Sequence, residues 1–295
     1  MRLTEDELKR RISNLNTWKK KDQRAPHKPL LVLLALSEFQ RGVKNLPYVQ
    51  MRTKLKSLLI EFGPLRRSYH PEQPFVRLTL DGIWMLSKSV DRNRFTEKSL
   101  LLDEISGGFT IEVLELLEKR PDLVQDIADM LLHAHFPDTM HQDIMDSVGL
   151  ELTAWVKRRR DPEFRNRILK AYEYSCAVCG FNVRLGNQLV AIDAAHIQWH
   201  QAGGPDHEVN GIALCSLHHK LFDRGVFTIT HDRQLLVAEE AHGTTGFEEW
   251  LMRYHGKEIR KPINPLYLPQ IMFLEWHVRE VFKGPARYYG HFKSH

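Results

Sequence analysis

The sequence predicts an α+β protein of two domains. A helix-rich N-terminal half with one small β-hairpin precedes a second domain built on a Cys3His zinc ribbon. Three observations carry this expectation. The segment Leu30-Leu31-Val32-Leu33-Leu34-Ala35-Leu36 is apolar on all sides, as the buried centre of a helical core would be. All three cysteines fall in two short knuckles, Cys176-Ala177-Val178-Cys179 and Cys215-Ser216-Leu217-His218. Between these regions lies a charged run ended by proline, Lys157-Arg158-Arg159-Arg160-Asp161-Pro162. A length of 295 residues suits two domains better than one. The expected division is 1–152 for the first domain, 153–162 for a basic linker and 163–295 for the second with its tail.

The elements follow in order. Thr4 to Trp18 is expected to be a helix, with Thr4 as N-cap and Glu7 completing a capping box. Pro29 suits the first turn of a second helix that runs to Phe39. Tyr48 to Phe62 forms a third, stopped by Gly63-Pro64. Phe75 to Leu80 alternates and is expected to be a strand. Asp81-Gly82 then turns it back into Ile83 to Leu86 as a hairpin. Thr110 to Lys119, Pro121 to His135 and Met140 to Leu150 are three more expected helices. In the second half, Glu163 to Tyr172 is a helix leading into the first knuckle, and Leu189 to Ile197 is a strand. Lys261 to Pro265 is extended, and Pro269 to Phe282 is a last helix. There is no internal repeat.

Composition excludes some classes. The chain is 42% hydrophobic and 27% charged, ordinary for a globular protein. The longest apolar run, Leu30 to Leu36, is far short of the roughly 20 residues that span a bilayer, so no membrane is expected. The first residues have no apolar signal core, and metal-type cysteines favour a reducing cytoplasm. A net charge of +5 permits nucleic-acid binding without requiring it.

The cysteine pattern gives the sharpest chemistry. Cys176, Cys179, Cys215 and His218 complete a tetrahedral thiolate and imidazole set of the kind that holds structural zinc. Between the knuckles come His196 and Asn210, and His219 follows the last ligand, at spacings of 14 and then 9 residues. Phosphodiester hydrolysis needs an activated water and charge neutralisation on the phosphorane. A neutral histidine takes a water proton near pH 7. Ala194-Ala195-His196-Ile197, Asn210-Gly211-Ile212-Ala213-Leu214-Cys215 and His218-His219-Lys220-Leu221-Phe222-Asp223 together resemble the zinc-containing HNH endonucleases. The resemblance implies a ββα-metal (HNH) nuclease domain in which His196 is the general base and Asn210 holds the loop that orients it. His219 is then a ligand of a catalytic divalent metal (Mg, Mn or Co). Many members place Asp or His before the base as second ligand. This chain has Ala195 there; Asp193, the nearest carboxylate, is the candidate second metal ligand if the strand bulges.

In the first half, Arg24-Ala25-Pro26-His27-Lys28-Pro29 places cations at a helix start, a natural phosphate site. Phe62-Gly63-Pro64-Leu65-Arg66-Arg67-Ser68-Tyr69-His70-Pro71-Glu72-Gln73-Pro74-Phe75 mixes cations with Tyr, Pro and Phe. Taken together, these segments resemble the sulfur-binding domain of phosphorothioated-DNA-dependent type IV restriction endonucleases, which carry a C-terminal HNH domain. Trp276-His277 and the tail around Gly284-Pro285 are similar to the same family. The resemblance implies modified double-stranded DNA as partner and an apolar dent for sulfur at Tyr69, His70, Pro71, Gln73 and Pro74. It makes His27, Lys28, Arg66 and Arg67 phosphate contacts. It also brings the turn Ser106-Gly107-Gly108 near the backbone. The family carries aromatic residues where this chain has Gln73 and Val76. Lys157 to Arg160, Arg165 and Arg167 either track the DNA backbone or form a solvated linker helix.

The expected function is therefore a modification-dependent restriction endonuclease. One alternative is an HNH enzyme reading methyl- or hydroxymethylcytosine, which normally needs an aromatic cage or a flipped-base pocket; the sequence shows no clear cage, although Tyr69, Phe75 and Trp84 could contribute. The other is a zinc-stabilised DNA-binding protein that does not cut. One HNH site cuts one strand, so duplex cleavage implies a homodimer or sequential nicking.

Overall fold

The computed structural model describes residues 3–17, 22–151 and 162–288. The chain divides into two compact units, Met1–Val156 and Lys157–His295. The basic run 157–160 lies outside the described residues, as does Trp18 at the expected end of the first helix.

The N-terminal unit is a helical bundle around one helix. Its elements are α1 (Glu5–Ser13), α2 (His27–Gln40), β1 (Leu46–Pro47), α3 (Tyr48–Phe62), α4 (Glu72–Arg77), β2 (Trp84–Leu86), α5 (Glu97–Leu102), β3 (Ser106–Phe109), α6 (Ile111–Lys119), α7 (Asp122–His135) and α8 (Asp138–Val148). Every residue from Leu30 to Leu36 is at most 2% exposed. The reason is that α3, α4, α7 and α8 all pack on α2. A helix apolar all round needs neighbours all round. At the N-terminus, Thr4 Oγ1 accepts from the Glu7 N–H at 3.3 Å, while the Glu7 carboxylate turns to Arg10 and Arg11. The capping box is thus half made, and α1 ends at Ser13.

Three expectations fail here. Phe75 to Leu80 is not a strand: α4 runs into a 3-10 turn over Leu78–Asp81. Its buried residues, Phe75, Val76 and Leu78, fit a helical face as well as an alternating one. Pro71 and Pro74 both fall before or within the first turn, where a helix needs no N–H. Nor does Asp81-Gly82 turn a hairpin. Gly82, at φ +69°, ends the 3-10 turn in the left-handed region. β2 instead pairs with β3, Trp84 facing Phe109, and the sheet order is β1-β3-β2. Ser106-Gly107-Gly108 is therefore a buried central strand rather than a turn against DNA. A Cβ on Gly107 would lie 2.9 Å from the Trp84 ring, and one on Gly108 2.2 Å from the Lys44 carbonyl.

The C-terminal unit comprises α9 (Pro162–Ala171), β4 (Val183–Leu185), β5 (Gln188–Val190), β6 (Ile192–His196), β7 (Gly211–Cys215), α10 (Ser216–Asp223), β8 (Phe227–Ile229), β9 (Leu235–Val237), α11 (Thr245–Trp250) and α12 (Ile271–Glu280). The strand expected over Leu189 to Ile197 is two strands, because Ala191 turns to φ +54° between them. β5 pairs with β4, and β6 pairs antiparallel with β7. α9 covers β6 and β7 so closely that a Cβ on Gly211 would lie 2.2 Å from Ile168. No helix among the described residues is long and apolar enough to cross a membrane.

Candidate functional site

In the C-terminal unit, β6, β7 and α10 form a ββα unit with register His196↔Gly211 and Ile192↔Cys215. His196 ends β6, 7% exposed, its ring stacked on Phe164 with centroids 4.1 Å apart. Its Nε2 lies 2.7 Å from Asp206 Oδ1. Asp206 is a site residue that the sequence reading missed. It lies four residues before Asn210, in a loop whose path the sequence does not show.

Asn210 fixes that loop. Fully buried, its Oδ1 accepts from the Gln198 N–H at 2.8 Å. Its Nδ2 donates to the carbonyls of Gln198 at 3.0 Å and Pro205 at 3.1 Å. One side chain thus ties both ends of the loop that brings Asp206 to His196. Each of these buried polar atoms would be costly to leave unpaired, so the loop is strongly specified.

His219 projects from α10, 5% exposed, with Nε2 3.2 Å from Asp223 Oδ2 one turn on. Asp193 sits three residues before His196, which puts it on the other face of the strand. There its Oδ1 accepts from Arg165 Nε at 2.8 Å and from the Ala194 N–H at 2.9 Å. It is held by Arg165, so the expectation that it serves as the second ligand is corrected. Arg167 is likewise engaged, pairing with Glu208 at 3.0 Å and donating to the Asp206 carbonyl at 2.8 Å.

Cys176, Cys179, Cys215 and His218 come together with their ligand atoms all within 4.8 Å of one another. Cys179 Sγ and Cys215 Sγ are 3.9 Å apart, and Cys215 Sγ is 3.1 Å from His218 Nδ1. Bonds of about 2.3 Å in a tetrahedron put sulfurs roughly 3.8 Å apart. The other His218 nitrogen, Nε2, is bonded to the Trp250 carbonyl at 2.8 Å, which orients the ring as a metal ligand's is oriented. The set fits a tetrahedral ion.

In the N-terminal unit, a cleft of about 520 Å³ opens beside the start of α2. His27, Lys28, Arg66, His70, Gln73 and Pro74 line it, joined by Arg24 and Arg77 from outside the expected set. Among the described residues no carboxylate lines it, and the cations Arg24, Arg66 and Arg77 make it basic. α2 adds to this, because it has no side-chain cap and no acidic residue in its first turn. Tyr69, Pro71 and Arg67 are not among the lining residues. The Tyr69 hydroxyl instead accepts from the Arg66 N–H at 3.3 Å, and Pro71 is buried as the N-cap of α4. Val76, also buried, packs inward.

The charges in the cleft are not equivalent. The Lys28 ammonium, 8% exposed, is held by the buried Asp81 carboxylate. Burial, reinforced by the Arg66 guanidinium, pushes the His27 imidazole down to about 4, so it is uncharged at neutral pH. His70 is fixed between Ser68 Oγ at 2.8 Å and Glu72 Oε1 at 3.0 Å. Gln73 Oε1 accepts from Arg77 Nε at 3.0 Å. Phe75 and Trp84, two of the aromatics that could contribute to a modified-base cage, are 0% and 2% exposed, packed in series with Tyr48 and Phe109.

Residues 5–153 match the profile of the ScoMcrA-like DNA sulfur-binding domain. The chain belongs to this family. Behind the sulfur-binding domain, residues 176–230 match the HNH endonuclease family, which takes in the ββα unit and the Cys3His set. Among solved structures, the sulfur-binding domain of ScoMcrA complexed with phosphorothioated DNA is 21% identical. That alignment covers 48% of this chain and 94% of that one, with a TM-score of 0.41. The corresponding SprMcrA domain, also complexed with phosphorothioated DNA, is 18% identical over 50% and 95%, at a TM-score of 0.43. The type IV phosphorothioation-dependent restriction endonuclease ScoMcrA is 19% identical over 58% of this chain and 35% of its own, at 0.40. No curated protein matches the sequence.

Proposed function

We propose that this protein is a modification-dependent restriction endonuclease. Its N-terminal cleft recognises phosphorothioated DNA, and its HNH domain hydrolyses phosphodiester bonds. The observation that carries the reading is the buried His196–Asp206 pair, tied in place by Asn210, in a chain that also presents a basic, proline-lined cleft. The family assignments of the two halves support it, as do the relatives complexed with phosphorothioated DNA.

His196 takes the proton of the attacking water. Asp206, at Nε2, fixes the ring and stabilises the imidazolium that forms. Asn210 is a positioning residue that holds the loop. His219 and Asp223 would hold the divalent metal, since two donors 3.2 Å apart are spaced as neighbours in one coordination sphere. When bound, that ion supplies positive charge to the scissile phosphate and leaving oxygen. Cys176, Cys179, Cys215 and His218 hold structural zinc.

In the cleft, the Pro74 face and the uncharged His27 ring offer sulfur a surface that costs it little desolvation. The same surface would strip water from an ordinary phosphate oxygen and return no hydrogen bond. Selectivity then comes from rejecting unmodified DNA. Arg24, Arg66 and Arg77 hold the flanking phosphates. The buried positions of Phe75 and Trp84 disfavour a modified-base cage.

The test is cleavage of matched plasmids, one phosphorothioated and one not, in magnesium, manganese or cobalt. Cutting confined to the sulfur-bearing plasmid and lost in His196→Ala is the expected result. Equal cutting of both plasmids would discard the sulfur reading. Sulfur-selective binding without cutting would leave a reader that does not cleave.

A further inference from the structure

We propose that His133, Asp138 and His141 form a second metal site, in the N-terminal unit, that takes zinc or a similar borderline divalent ion. One ligand atom from each of the three lies within 4.8 Å of the others. His133 is in the last turn of α7, Asp138 is the first residue of α8, and His141 follows one turn later on the same face. The site therefore spans the corner between two helices.

The hydrogen bonds of the rings give the tautomers. His133 Nδ1 is 2.8 Å from the Asp129 carbonyl, and His141 Nε2 is 2.8 Å from the Phe136 carbonyl. A carbonyl only accepts, so each of these nitrogens carries its ring's proton. In the neutral rings the lone pairs then sit on His133 Nε2 and His141 Nδ1, and both atoms are shielded from solvent. This is how metal-binding histidines are held, one nitrogen on a main-chain carbonyl and the other on the ion. The two rings stand 4.9 Å apart at 77°, edge to face, and are not stacked. His141 itself is 1% exposed.

The donor set selects the ion. Two imidazole nitrogens and one carboxylate oxygen suit zinc and its neighbours, whereas magnesium and calcium prefer oxygen throughout. His133 and Asp138 are only half-buried, so water can complete a fourth position. The consequence is structural. α8 packs on α2 and α3, and α2 starts at the basic cleft. An ion at this corner would pin the frame on which the cleft is built. The sequence signal is His133-x4-Asp138-x2-His141, which the two cysteine knuckles overshadowed.

The test counts metal in the full-length protein. In a His219→Ala background, which removes the proposed nuclease-site ligand, purified protein is equilibrated with zinc, desalted and analysed by mass spectrometry. Two zinc ions per chain are expected, falling to one when His133→Ala or the half-exposed Asp138→Asn is added. Circular dichroism identifies any variant that fails to fold. Cobalt substitution gives a second readout: the Cys3His site supplies intense sulfur-to-cobalt charge transfer, which Asp138→Asn should leave intact while one equivalent of cobalt is lost. One zinc per chain in the His219→Ala background would overturn the proposal. So would two zinc ions that persist after both substitutions.

Discussion

In the N-terminal unit the candidate interface is open and basic, and Arg66, His70, Gln73 and Arg77 reach it from the partly solvated rim of a cleft. In the C-terminal unit His196, Asn210 and His219 are each at most 7% exposed, and His196 and Asn210 are held by several contacts. The contrast fits the two proposed tasks. A surface that binds a polyanion must exchange water and counterions for phosphate, so its cations stay accessible. A group that moves a proton must be in place before substrate arrives, so its geometry is fixed by buried hydrogen bonds. Lys28 marks the boundary between the two. It lines the cleft, yet its charge is committed to Asp81, as a structural ion pair's would be.

Substitutions can break or sharpen this contrast. The largest effect should come from Cys176→Ser, because structural zinc contributes on the order of 10 kcal/mol to the folding of small domains. Differential scanning calorimetry should show the C-terminal transition lost and the N-terminal one retained. A single unchanged transition would mean that the cluster does not hold the unit together. His196→Ala should lower cleavage by about 10²- to 10⁴-fold with DNA binding unchanged, measured by plasmid nicking beside gel shift. Loss of binding as well would put His196 outside the reaction.

Asp206→Asn separates positioning from folding. It should cut kcat roughly 10- to 100-fold and leave the melting temperature within about 2 °C. An equal loss in Asn210→Ala, with a lower melting temperature, would place both residues on one loop-holding function. Pro74→Glu should weaken sulfur-specific binding by about 2 kcal/mol, roughly 30-fold, beyond any loss on ordinary DNA. Equal losses on both DNAs would move the dent elsewhere.

The smallest effect concerns pH. The unfolded chain binds the His27 proton near pH 6.5, the folded protein only near pH 4. The unfolded state therefore holds more protons between these values, and stability falls as pH drops through that window. His27→Gln should flatten this part of the stability curve, read from urea midpoints at pH 7 and pH 5. An unchanged slope would mean that His27 is solvated.

Most helices were legible in the sequence. Tyr48–Phe62 has the expected boundaries because proline precedes it and Gly63-Pro64 follows. The cysteine knuckles and the His, Asn, His spacing were legible because they are local, and the ββα unit assembles within one short stretch. Phe75 to Leu80 was not, since a short apolar run fits two periods and only the prolines at 71 and 74 favoured helix. Asp206 and the Lys28–Asp81 pair were invisible for another reason. Each depends on a contact that only the folded chain makes, across a loop in one case and from helix to 3-10 turn in the other.

His218 and His219 are consecutive, one turned to the sulfur cluster and the other to the proposed reaction centre. The two roles hang from one peptide, so whatever loosens the first releases the second. Peroxide that oxidises Cys176, Cys179 or Cys215 would release an ion held there and loosen the start of α10. The N-terminal unit contains no cysteine, so it would be untouched by the same chemistry. Thiol oxidation would then spare the proposed reader and disable the proposed nuclease.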